Sequence, residues 1–145
     1  MKKQIYIASL VLVALVSVSA QAQSRNRQQL RFKASFAFNA GNTVLPAGEY
    51  RVTIVNPSSD HSVLQITSSD GKSTTMIRTS DVEGWASPKA KISFRHYSDR
   101  YFLAQVWMAG ESTGLVAPTS KTEKAFRQQP GITNKNFAVV AINGF

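Results

Sequence analysis

A chain of 145 residues without cysteine excludes disulfides, thiolate metal sites and a cysteine nucleophile, and its length fits one domain around one hydrophobic core. Seventeen Lys and Arg against eight Asp and Glu give a formal charge of +9, which favours anionic partners without specifying one. Two histidines at distant positions are a poor basis for a zinc site, which takes three or four His, Cys or acidic ligands.

The N-terminus has the order of a secretory signal: basic Lys2 and Lys3, an apolar run from Ile5 to Val18, and small residues ending Ala20-Gln21-Ala22. Ser9 and Ser17 interrupt the run, which falls short of the roughly 20 apolar residues that a membrane helix needs. Residues 1–22 are therefore expected to be cleaved, leaving an exported chain, periplasmic or extracellular, with no transmembrane segment. Residues 23–30 read as a flexible polar segment and 31–145 as a single β domain. Arg25, Arg27, Arg31 and Lys33 form the one local basic group.

Alternation begins at Arg31, with Phe32, Ala34, Phe36 and Phe38 on one face. Asn39-Ala40-Gly41-Asn42 and Leu45-Pro46-Ala47-Gly48 are turn clusters, and the second leads into a strand with Tyr50, Val52 and Ile54 in line. After the break at Asn56–Asp60, Ser62–Thr67 and Ser73–Thr79 read as a hairpin joined through Asp70-Gly71, a pair suited to a type I′ turn. Ser80–Lys89 reads as a loop. Lys91–Tyr97 and Tyr101–Met108 are strands joined by Ser98-Asp99-Arg100. The second places Phe102, Ala104, Val106 and Met108 on one face and Tyr101, Leu103 and Trp107 on the other, as expected of a central strand covered on both sides.

Gly110 and Gly114 bracket a turn before Leu115-Val116-Ala117. Ser120 with Glu123 has capping-box spacing, which predicts a helix to about Gln129, ended by Pro130-Gly131. Phe137–Ile142 is the final strand. About eight strands with turns between them predict an all-β fold, a small antiparallel sandwich or barrel with one short C-terminal helix.

Phe36-Ala37-Phe38 with Gly41, Leu45-Pro46-Ala47-Gly48-Glu49-Tyr50-Arg51-Val52, Ser69-Asp70-Gly71-Lys72 and Arg100-Tyr101-Phe102-Leu103-Ala104-Gln105-Val106-Trp107 occur in this order. Over about residues 32–127 the chain resembles a family of small secreted proteins of uncharacterised function abundant in Acidobacteria. The resemblance implies export and a compact β domain and supplies no activity. Ser98 stands where that family usually carries Gly.

No motif for catalysis, metal or nucleotide stands out. A Ser-His-Asp arrangement would have to use His61 or His96, and no Gly-x-Ser-x-Gly elbow accompanies either. Asp70-Gly71 and Asp81-x-Glu83 lack the ligand density of a calcium loop. Glu49, Asp81, Glu83 and Glu111 are candidates for paired carboxylates by residue type only. The constellation with most chemistry is aromatic and basic: Arg95, Tyr97, Arg100, Tyr101 and Trp107 around one hairpin, with Trp85 on the preceding loop. Aromatic faces stack on sugars and arginines pair with anions. The competing expectation packs Tyr101 and Trp107 under the helix.

The function expected is a non-enzymatic exported binding module, without cofactor or metal, for an anionic or polysaccharide partner. Cell-wall polymer, envelope lipid and another exported protein are the partners considered, and nucleic acid is scarcer outside the cell. The alternatives are a barrel-like carrier of a small apolar ligand, for which the phenylalanines offer a lining, and a hydrolase.

Overall fold

The structure, a computed structural model, describes residues 28–142 except Ser58. The expected signal peptide and residues 23–27 lie outside the described residues. Two antiparallel sheets pack face to face as a sandwich, and they do not close into a barrel. The smaller sheet has the order β1 (Gln29–Ala34), β4 (Gly48–Ile54), β5 (Val63–Ser68), β6 (Thr74–Arg78). The larger sheet runs β11 (Asn134–Ile142), β8 (Ala90–Tyr97), β9 (Arg100–Trp107), β10 (Thr113–Val116), β7 (Ser80–Glu83). The hairpin of β2 (Phe38–Ala40) and β3 (Thr43–Leu45) joins it through a short parallel pairing of β2 with β9.

Alternation explains which side chains fill the space between the sheets. Leu30, Phe32 and Ala34 of β1, Tyr50, Val52 and Ile54 of β4, and Leu64 and Ile66 of β5 are buried facing Ile92, Phe94, Leu103 and Val106 of the larger sheet. Each large side chain fully removed from water here contributes about 1.5–3 kcal/mol. Phe32, Phe38, Tyr50 and Phe94 form the aromatic centre, with ring centroids 5.2–6.3 Å apart. The Tyr50 hydroxyl donates to the Pro46 carbonyl, which ties the Leu-Pro-Ala-Gly turn to the core and leaves no bare polar atom there. Burial pushes the Tyr50 phenol above its ordinary range, with the nearby Asp70 charge adding to the effect.

Four local expectations change. The first strand is broken at Ser35–Ala37: Phe36 and Phe38 still face inward, but Phe38 belongs to the other sheet. Ser80–Glu83, expected as loop, is the edge strand β7 on β10, reached after the buried Thr79 crosses between sheets with its hydroxyl and amide both on the Ser62 carbonyl. The β5–β6 turn is not type I′, because only Gly71 has positive φ (73°). Asp70 instead accepts from the Ser68 hydroxyl and the Lys72 amide, contacts that hold its carboxyl below the usual range.

The fourth change decides what β9 presents. Ser93 of β8 pairs with Gln105, but the next residue, Phe94, pairs with Leu103. Ala104 is thus an extra residue, a bulge that reverses the phase of the strand. Leu103, Val106 and Met108 face the inter-sheet core together with Tyr101, whereas Phe102, Gln105 and Trp107 share the outer face. The helix α1 (Lys121–Arg127) covers one end of that face through Phe126, which packs on Tyr97 and Phe102.

Candidate functional site

The bulge and the helix split the six predicted site residues into three groups. Arg95 and Tyr97 project from the outer face of β8 beneath α1. The Arg95 guanidinium grips both oxygens of Glu123, at 2.6 and 2.9 Å, and also donates to the Leu103 carbonyl at 3.1 Å. The Tyr97 hydroxyl donates to the same carboxylate at 2.9 Å. Glu123 is 1% exposed, so its charge is tolerated because a bidentate guanidinium and a phenol replace water around it. Burial raises the Tyr97 phenol, and its hydrogen bond to Glu123 raises it further. The capping box is thereby only half formed: the Ser120 hydroxyl accepts from the Glu123 amide at 3.1 Å, but the Glu123 side chain reaches the sheet. These two residues fasten the helix and are closed to a ligand.

Arg100 lies on the Phe126 ring, 4.7 Å from its centroid. Tyr101 is stacked between Phe36 at 3.9 Å and His96 at 4.1 Å. Contrary to the expectation that the helix buries Tyr101 and Trp107, α1 packs on Tyr97 and Phe102, and Tyr101 turns toward the other side of the sheet.

Trp107 lies on the uncovered end of the same outer face, and Trp85 follows Gly84, which the Trp107 ring touches. Trp85 is 92% exposed on the loop after β7. The Trp107 indole lies across Gly84 and Gly114, and a Cβ on either glycine would come within 2.4 or 2.5 Å of the ring. The missing side chains form a bed that only glycine allows at this approach. Trp107 is opposite Lys91 of β8, whose Nζ lies over the indole ring at 5.3 Å from its centroid, on a flexible stem that a ligand can displace. Its indole N–H donates to Gln105 Oε1 at 3.1 Å. One residue row away, the Ser93 hydroxyl is buried with no hydrogen-bond partner among the described residues. The open end therefore joins a half-buried indole, a fully displayed one, an ammonium and an amide.

Among the described residues, no group of three or more His, Asp or Glu is placed to hold a metal ion. A cleft of about 290 Å³ is lined by Ile54 and Leu115 together with the polar side chains of Gln28, Ser62 and Thr113. It brings together Asp81 and Glu111, two of the four carboxylates considered by type, and Gln28 donates to Glu111 across it at 3.4 Å. Among the described residues, no helix is long and apolar enough to cross a membrane. Comparison with known protein families, curated proteins and solved structures found no match to this chain.

Proposed function

We propose that the chain is an exported, non-enzymatic binding module that takes a polysaccharide on the outer face formed by Trp107, Trp85, Lys91 and Gln105. The observation that carries this reading is the glycine bed of Trp107, which positions a flat apolar ring beside polar donors. Sugars are recognised in that way, by stacking of their apolar C–H faces on aromatic rings while the rim hydroxyls hydrogen-bond. Lys91 adds a cation for an acidic substituent. Export rests on the signal-like residues 1–22 and on the family resemblance.

Affinity electrophoresis of the purified protein through gels holding xylan or another uncharged β-glycan tests the reading. Retardation that is lost in Trp107→Ala and weakened in Trp85→Ala is expected, with no loss in Arg100→Ala. Equal mobility of the wild type with and without every glycan tried contradicts it. The cleft holding Asp81 and Glu111 favours a second reading, glycoside hydrolysis by two carboxylates. Release of reducing ends by the wild type and its loss in Glu111→Gln would replace the first reading with the second.

A further inference from the structure

The outer face of the smaller sheet, on the opposite side of the sandwich, carries a different pattern. Strand register aligns Arg31 of β1 with Arg51 of β4, then Thr67 of β5 and Thr74 of β6. Both arginines are exposed. Side chains directly opposite on antiparallel strands have Cβ atoms about 4.5–5.5 Å apart, and like charges in that relation are destabilising. Lys33 in the next outward row faces Glu49, but neither Arg31 nor Arg51 forms a salt bridge among the described residues, where Arg95–Glu123 is the single pair. Among the described residues the two neighbouring guanidinium groups thus have no salt-bridge partner, and Arg78 adds a third cation further along β6.

We infer that this row is a docking surface for an extended acidic polysaccharide, whose carboxylates or sulfates supply the counter-charge that the sheet lacks. A guanidinium presents a planar fork of donors matched to such groups. Thr67 and Thr74 are short, so the row stays low across all four strands, about 14 Å at 4.8 Å per strand spacing. A linear chain laid along it meets two guanidinium groups and then two hydroxyls. A membrane surface fits less well, because membrane-lying segments carry several apolar anchors among their cations, whereas the strands of this face offer one large exposed apolar side chain, Met76 beside Arg78. The exposed Met76 lies in the neighbouring row, opposite Gln65, and Val55 lies beyond the end of β4. The basic group seen in the sequence at Arg31 and Lys33 is in this way completed by Arg51 from a distant segment. The surface is independent of the Trp107 face, and a domain with both could link two polymer strands.

Polygalacturonate, sulfated dextran and phosphatidylglycerol vesicles serve as probes for the full chain, with xylan as the uncharged control. Binding of the polyanions that weakens steeply with salt is expected, and Arg31→Thr/Arg51→Thr should lower the affinity by about tenfold, as the loss of two charge-assisted contacts implies. The same double variant should melt no lower than the wild type, since it removes a repulsive pair, and should keep xylan binding. Trp107→Ala should keep polygalacturonate binding, which separates this surface from the first. Unchanged polyanion affinity in the double variant overturns the inference. So does polyanion binding lost in Trp107→Ala instead, or binding to the vesicles alone.

Discussion

The two ends of one sheet face, the outer side of β8 and β9, are built from the same residue types and reach opposite outcomes. At the helix end, Arg95 and Tyr97 are sealed around Glu123, and both hydrogen-bond its carboxylate. At the other end, Trp107 rests on glycines with Lys91 and Gln105 beside it, and Trp85 is in water. An aromatic and basic cluster in a sequence can therefore be half cement and half surface. What divides the halves is one carboxylate, Glu123, delivered by a short helix. Where it arrives, cations and phenols become structural, and where nothing arrives they remain available.

Removal of that carboxylate has the largest expected effect. Glu123→Ala leaves the Arg95 charge under the helix without a partner, and a loss of about 3 kcal/mol in unfolding free energy is expected, measured by urea denaturation. A loss below about 1 kcal/mol, the range of a surface pair, would place Arg95 in water. Glu123→Gln keeps the shape and should lose less. The open end responds differently: Gly114→Ala drives a Cβ into the indole, costs about 1–3 kcal/mol through overpacking and abolishes glycan retardation. Trp85→Ala, at an exposed position, should change stability by no more than about 0.5 kcal/mol while weakening binding.

A pH titration sharpens the same contrast. Tyr97 and Tyr50 have phenols raised above 10.0 in the folded state, so the folded chain holds their protons more tightly than the unfolded chain. Their contribution to stability is complete below the unfolded value near 10 and is lost as pH rises above it. Stability should fall on the alkaline side, and less steeply in Tyr97→Phe. A further effect is local: Ser98 has φ 52°, a left-handed backbone that costs a non-glycine residue roughly 1 kcal/mol. Ser98→Gly should stabilise by about that amount, read as a higher melting temperature.

Much of the frame was legible because alternation is set by burial. Phe32, Tyr50, Val52, Ile54, Leu64, Ile66, Ile92 and Phe94 were assigned to buried faces from spacing alone, and they are buried. The Ser120–Glu123 spacing marked the helix start correctly. Three things were not legible, each for a physical reason. The bulge at Ala104 adds one residue without any local signature, and so inverts the faces of Tyr101, Phe102 and Leu103. β7 is an edge strand with three polar residues of four, so its pairing follows from β10 and not from its own pattern. The fates of Arg95 and Trp107 depend on Glu123, Gly84 and Gly114, which are distant in sequence and meet them only after folding. In the sequence Gly114 reads as a turn residue; its lack of a side chain matters because an indole lies on it.

The most direct test uses the Trp85→Phe chain, in which Trp107 is the one remaining tryptophan, titrated with soluble xylan oligosaccharides while indole emission is followed. A saturable shift of the Trp107 emission to shorter wavelength is expected, with reduced quenching by iodide, as a sugar covers the ring. Emission and quenching that stay unchanged through the full titration, with the β-sandwich intact by circular dichroism, would contradict it.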